Sequence, residues 1–212
     1  MPKIIGESLA SHRELTRTRL FEALGSLMAE QSFESITMSQ IAERAGVGRT
    51  AVYNHFADKE VLLLAYMRQV TEEFTRVLTA RLESEPDPLM RLRIYIRAHL
   101  QMISRYHVKA GTGLRRQMSG QGASHLHDHA GMVGELLIGI LDEAMERGLI
   151  VEQNTLGAVH LIHATLQGQR LPQDPAHRES ALLLVETFIL RGLGASEENV
   201  RQVTASSLAS GE

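Results

Sequence analysis

Apolar side chains recur along this chain mostly at intervals of three and four residues, and no alternating stretch rich in Val, Ile and Thr is bounded by hairpin turns. That period predicts an all-α fold. A first helix is expected over residues 11–31, where Leu20, Ala23, Leu24, Leu27 and Met28 share one face. The next segment carries a full helix-start signal: Thr37 can cap, Gln40 completes a capping box, and Ile36 can staple onto Ile41. Met38, Ile41, Ala42 and Ala45 then make the apolar stripe of a short helix, and Gly46 can take the left-handed conformation that ends it. Only a short third helix, residues 49–56, fits before Asp58 offers a cap for a long helix reaching about residue 81. Two short helices joined by a glycine turn suggest a helix-turn-helix.

Two prolines, Pro86 and Pro88, then break the pattern. Helices resume over about 89–106, 124–147, 154–169 and 175–193. The stretch 111–120 is punctuated by glycines and reads as a loop or a short helix with frayed ends, where access to a pocket is expected. The tail after Gly194 is small and polar, and is expected to fray. The division that follows is an N-terminal three-helix helix-turn-helix domain over 1–60 and a C-terminal helical ligand-binding and dimerisation domain over 61–212.

Composition changes this picture mainly by exclusion. No apolar run approaches the roughly 20 residues of a membrane span, and the first residues lack the apolar core of a secretory signal. A cytoplasmic protein with no membrane partner is the expectation. Cysteine is absent, which removes disulfides, thiolate metal sites and cysteine nucleophiles. The net charge is −3, and residues 1–60 hold seven Lys/Arg against eight Asp/Glu, so any affinity for nucleic acid must come from local geometry. No glycine-rich phosphate loop follows a strand, no Gly-x-Ser-x-Gly elbow occurs, and no carboxylate pair stands out from helix surface. An enzyme is therefore not expected, and no cofactor is required.

From Phe33 to Tyr66 the capped helix from Thr37 to Ala45, Gly46-Val47, the run Tyr53-Asn54-His55-Phe56 and the run Lys59-Glu60-Val61-Leu62 follow one another in fixed spacing. This block resembles the reader of the TetR family of transcriptional regulators. A short recognition helix fits a major groove about 12 Å wide with its first turns facing base edges. Arg49, Thr50 and Asn54 are the candidates for that work: Arg49 for a guanine, Thr50 for a thymine methyl or a polar edge, Asn54 for an adenine. Thr37, Tyr53, His55 and Lys59 are candidates for phosphate contacts, and the resemblance implies that Tyr53 and Lys59 are backbone anchors. The chain departs from the family at Gly48, where a capping Ser or Thr is common.

The nearly unbroken apolar run from Ala181 to Val185 near the chain end calls for burial on more than one side. The resemblance implies a homodimer joined through the last two long helices, reading a palindromic site on double-stranded DNA. A small-molecule effector is the third expected partner. His99, Met102, His107, Met118, Met132 and His163 are candidates to line its pocket between helices, with Met145 also in reach. The leading reading is a ligand-responsive homodimeric repressor. The alternative rests on ten histidines: His125 and His129 at i, i+4 and His160 and His163 at i, i+3 present two pairs that facing helices can bring to a divalent metal, making a metal-responsive regulator or a metal-binding helical protein.

Overall fold

The computed structural model describes residues 3–106 and 120–206, with side chains described over 11–104 and 133–206. Every regular element among the described residues is helical. In chain order these are α1 (Lys3–Glu30), a 3-10 turn (Phe33–Ser35), α2 (Met38–Ala45), α3 (Arg49–His55), α4 (Lys59–Glu83), α5 (Pro88–Tyr106), α6 (Gly120–Glu146), α7 (Thr155–Gln167), α8 (Pro175–Gly192) and α9 (Glu197–Ala205). Local chemistry sets the boundaries: Asp58, Asn154, Asp174 and Ser196 each cap with a side-chain oxygen, and Pro175 opens α8 where its missing N–H is no loss.

Two of these elements differ from the sequence reading. Helix α1 begins at Lys3, not near residue 11, since no proline lies between Pro2 and Ser11 to stop it. The chain after Gly194 does not fray over its described part, which runs to Ser206. Gly194 turns the chain at φ 77°, and a Cβ there would lie 2.7 Å from a methyl of Val151, so the return is open to glycine alone. Helix α9 then buries Val200 and Val203 in the main core. Its apolar positions sit three residues apart, a stripe too short to stand out in a polar tail.

Two apolar cores result. The first gathers Leu20, Phe21, Leu24, Leu27, Ile36, Met38, Ile41, Val52, Phe56, Leu62, Leu63, Tyr66 and Val70 from α1 to α4. The second gathers residues from α4 to α9, among them Leu78, Leu82, Leu92, Tyr95, Ile96, Leu137, Ile162, Leu182 and Leu190. No linker separates them: α4 is buried in the first core through Val70 and in the second from Leu78. Helix α5 also touches both, since Leu100 lies in the second and Met102 packs against the first. Buried ion pairs bind α5 to the C-terminal helices. Glu186 of α8, fully buried, accepts from Arg93 at 2.9 Å and from Arg97, while Arg93 also donates to the carbonyls of Val203 and Ser206.

Candidate nucleic-acid interface

The short helices are held at an angle fixed by their ends. Thr37 accepts the Gln40 N–H while the Gln40 side chain accepts the Thr37 N–H at 2.8 Å, a complete capping box. Gly46 ends α2 in the left-handed conformation at φ 64°, and its N–H donates back to the carbonyls of Ala42 and Glu43. Ile36 and Ile41 are both buried beneath this start, as a staple requires. Arg44 reaches from α2 to α1 and grips Glu30 with two parallel bonds of 2.8 Å. Gly48 opens α3 without a side-chain cap, as its lack of a hydroxyl dictates.

Helix α3 divides cleanly. Val52 and the following Phe56 are buried, and Phe56 meets the Phe21 ring at 5.7 Å. On the other side Arg49, Thr50, Tyr53 and Asn54 are exposed, at positions i, i+1, i+4 and i+5 that share one face. Tyr53 keeps 47% of its surface open, unusual for an aromatic on so short a helix. Thr37 is exposed at the start of α2, and His55 is half-buried at the end of α3. Burial first, then the charges of Arg13 and Arg17, hold the His55 imidazole below its ordinary range, so at neutral pH it offers a neutral ring.

Lys59 is placed differently from its neighbours. Its ammonium donates to the carbonyls of Phe33, Glu34 and Ile36 at 3.1, 2.8 and 3.0 Å and sits 4.9 Å from the Phe33 ring centre. All three N–H groups are engaged within the chain, in competition with the phosphate role expected of this residue.

In the C-terminal half the candidate pocket residues separate. His99 is buried in α5 against Phe74 (6.2 Å), Tyr95 (5.8 Å) and His163 (5.4 Å), ring centre to ring centre. The Tyr95 hydroxyl lies 2.6 Å from Nε2 of His163 on α7. Burial, with a smaller push from His163, lowers the His99 pKa to about 3, and burial also lowers that of His163. Burial raises the Tyr95 phenol, which stays protonated. Nδ1 of His99 has no hydrogen-bond partner among the described residues. The group is thus a neutral polar trio inside an apolar core. Tyr95 was not foreseen; its only signal in the sequence is its i, i+4 spacing to His99.

The remaining candidates are scattered. Met102 is not in this trio but on the first core. Met145 packs against the second core, where its sulfur accepts the Gln153 N–H. His107 and Met118 lie outside the described residues, as do the side chains of Met132, His125 and His129. His160 is exposed and His163 is turned to Tyr95, and among the described residues no three His, Asp or Glu side chains gather as metal ligands. The metal alternative has no support in this arrangement. No helix among the described residues is long and apolar enough to cross a membrane.

Residues 20–66 match the family model of the bacterial regulatory proteins of the tetR family. An uncharacterized HTH-type transcriptional regulator of Mycobacterium tuberculosis is 30% identical over 94 residues, 44% of this chain and 46% of that protein. The chain thus spans about half the length of the curated relatives it matches. Among solved structures, the fatty acid degradation regulator FadR from Bacillus halodurans superposes with a TM-score of 0.68 at 20% identity, over 85% of this chain and 97% of that one. AibR, in complex with isovaleryl coenzyme A and operator DNA, gives 0.71 at 17% identity over 82% and 97%. These two likenesses are of fold. The capped α2, the glycine turn and the exposed α3 face all fall within residues 20–66, the block that matches the bacterial tetR family.

Proposed function

We propose that the chain is a homodimeric, ligand-responsive transcriptional repressor that reads a palindromic operator. The observation that carries the DNA reading is the α3 face: an arginine, a threonine, a tyrosine and an asparagine exposed together on a helix whose other side is anchored by Val52 and Phe56. Such a helix presents Arg49, Thr50 and Asn54 to base edges and Tyr53 and the neutral His55 to phosphates, with Thr37 at the start of α2 as a further phosphate contact. The curated relatives are described as transcriptional regulators, and AibR was solved with operator DNA, which supports the same role here.

Dimerisation is supported by apolar side chains that the single chain leaves open. Leu156 and Leu161 on α7 and Leu184 and Phe188 on α8 expose 60 to 71% of their surfaces. Four large apolar groups on two helices that both pack on α5 are the kind of surface a second copy covers. A two-fold pair of readers then matches an inverted repeat.

The effector reading rests on the Tyr95, His99 and His163 trio. An unpartnered buried nitrogen costs on the order of 1–3 kcal/mol, and a ligand polar group that bonded it would recover that loss. AibR binds a coenzyme A thioester in a similar fold, which supports a small-molecule site in this half. The test is selection of bound duplexes from a random pool, run with the parent and with an Arg49→Ala, Tyr53→Ala variant. Enrichment of an inverted repeat by the parent alone supports the reading. Enrichment of the same repeat by both proteins overturns the assignment of α3.

A further inference from the structure

The reader holds fewer free cations than its sequence suggests. Arg44 is paired with Glu30, and Lys59 is engaged by three carbonyls. Residues 1–60 carry a net charge of −1, so a duplex must find its positive charge in a few places. One is Arg49. Another lies on α1 ahead of Leu20, where the matched family block begins.

Arg13 and Arg17 are four residues apart and share one face of α1, and Phe21 continues that face by one more turn. The Arg17 guanidinium sits 5.2 Å from the Phe21 ring centre, Phe21 meets Phe56 at 5.7 Å, and Phe56 lies 6.2 Å from the ring of His55. This line of contacts leads from α1 to the end of the recognition helix. Arg13 lies one turn further out and is exposed. No ion pair of Arg13 or Arg17 occurs among the described residues, whereas Arg68, Arg91, Arg93, Arg97, Arg147 and Arg191 all pair with glutamates. The Nε of Arg17 is buried without a hydrogen-bond partner among the described residues. The counter-charge nearest in sequence is Glu14, itself exposed.

We infer that the N-terminal part of α1 is a phosphate-binding arm, in which Arg13 and Arg17 grip the duplex backbone beside the end of α3 and widen the footprint beyond the recognition helix. The arm supplies charge that Arg44 and Lys59 have committed to the reader's own structure. Phosphate contacts of this kind hold register and raise affinity without reading bases. The inference rests on the proposed DNA reading.

The experiment uses the full chain and the duplex recovered by selection, with affinity measured by fluorescence anisotropy across a series of KCl concentrations. Each phosphate contact contributes about 0.9 to the slope of log K against log salt. In a dimer, Arg13→Ala therefore lowers the slope by about 1.8, Arg13→Glu lowers it further, and hydroxyl-radical protection shortens at both outer edges. Because Arg13 is exposed, its variants melt as the parent does, and Arg17→Ala is read only alongside its own melt. Arg19, turned about 200° from Arg17 on the same helix and also exposed, is the control: Arg19→Ala keeps the parent slope and footprint. A parent slope in both Arg13 variants overturns the arm and leaves the α3 reading standing. An equal loss from Arg19→Ala reduces the effect to bulk charge and also overturns it. A parent that binds no duplex overturns the arm and the DNA reading together.

Discussion

Lys59→Met distinguishes a lysine that builds the reader from one that binds DNA. The substitution keeps most of the aliphatic stem and removes the ammonium that ties Phe33, Glu34 and Ile36 to the start of α4. Hydrogen bonds to a charged group contribute roughly 1.5–3 kcal/mol each when buried. Here the lysine is half-buried and the Glu34 bond is exposed, so water can replace part of what is lost. A value of about 0.5–1 kcal/mol for each bond, with roughly 0.5 kcal/mol for the ammonium over the Phe33 ring, gives a total of about 2–3.5 kcal/mol. For a chain of this size that is a fall in Tm of roughly 4–14 °C. Thermal and urea melts followed by circular dichroism measure it, and the anisotropy salt series supplies the second reading. The structural role predicts a lower Tm, weaker binding to every sequence and an unchanged salt slope. A parent-like melt with a slope reduced by about 1.8 per dimer would show that Lys59 leaves its carbonyls for a phosphate, and the reasoning from its three bonds would fail.

Four other outcomes follow from the geometry. His99 has a folded pKa of about 3, below its unfolded value near 6.5, so the unfolded chain takes up the proton first as pH falls. Stability is then full above about pH 6.5 and declines toward pH 3 by up to about 1.4 kcal/mol per pH unit; urea midpoints against pH should show this, and His99→Phe should flatten it. Glu186→Ala leaves two guanidinium groups facing a void and should cost roughly 3–5 kcal/mol in urea unfolding, with little change if the network contributes nothing. Leu161→Glu with Phe188→Glu should shift the protein from dimer to monomer in light scattering, and an unchanged mass would place the interface elsewhere. Gly194→Ala forces a Cβ against Val151 and a left-handed φ on alanine, which should cost at least about 1–2 kcal/mol and loosen α9, seen as faster amide exchange at Val200 and Val203.

The reader was legible because its signals are local. A capping box, a left-handed glycine and an exposed polar face over Val52 each depend on residues within one or two turns, and the structure has each of them where the spacing put it. What the sequence could not show was pairing at a distance. Nothing near Lys59 says that carbonyls 23 to 26 residues earlier will surround its ammonium, and nothing near Glu186 says that two arginines of α5 will meet it. Met102 and His99 are both expected to line one pocket between helices, yet α5 crosses from one core to the other between them. The length of α1 was missed for a different reason. The apolar stripe that marks the helix starts late, but no proline lies between Pro2 and Ser11 to stop the helix from extending back to Lys3.

That crossing of α5 suggests how a signal travels. His99 stands in the second core beside Tyr95 and His163, and Met102, one turn on, packs against the first. Helix α4 makes the same passage through Leu78 and Val70, and its Lys59 end holds the turn before α2. A ligand bonded at His99 must displace rings that touch at 5.4 to 6.2 Å, and a close-packed interior passes such a shift on along a rigid helix. The buried Arg93 and Arg97 pairs with Glu186 fix the other side of α5 to α8. Movement on the pocket side is therefore resisted at α8 and less so at Met102 and α4. Under the proposed function, operator release would require only that the ligand-bound packing hold the two readers at a spacing that no longer fits successive grooves.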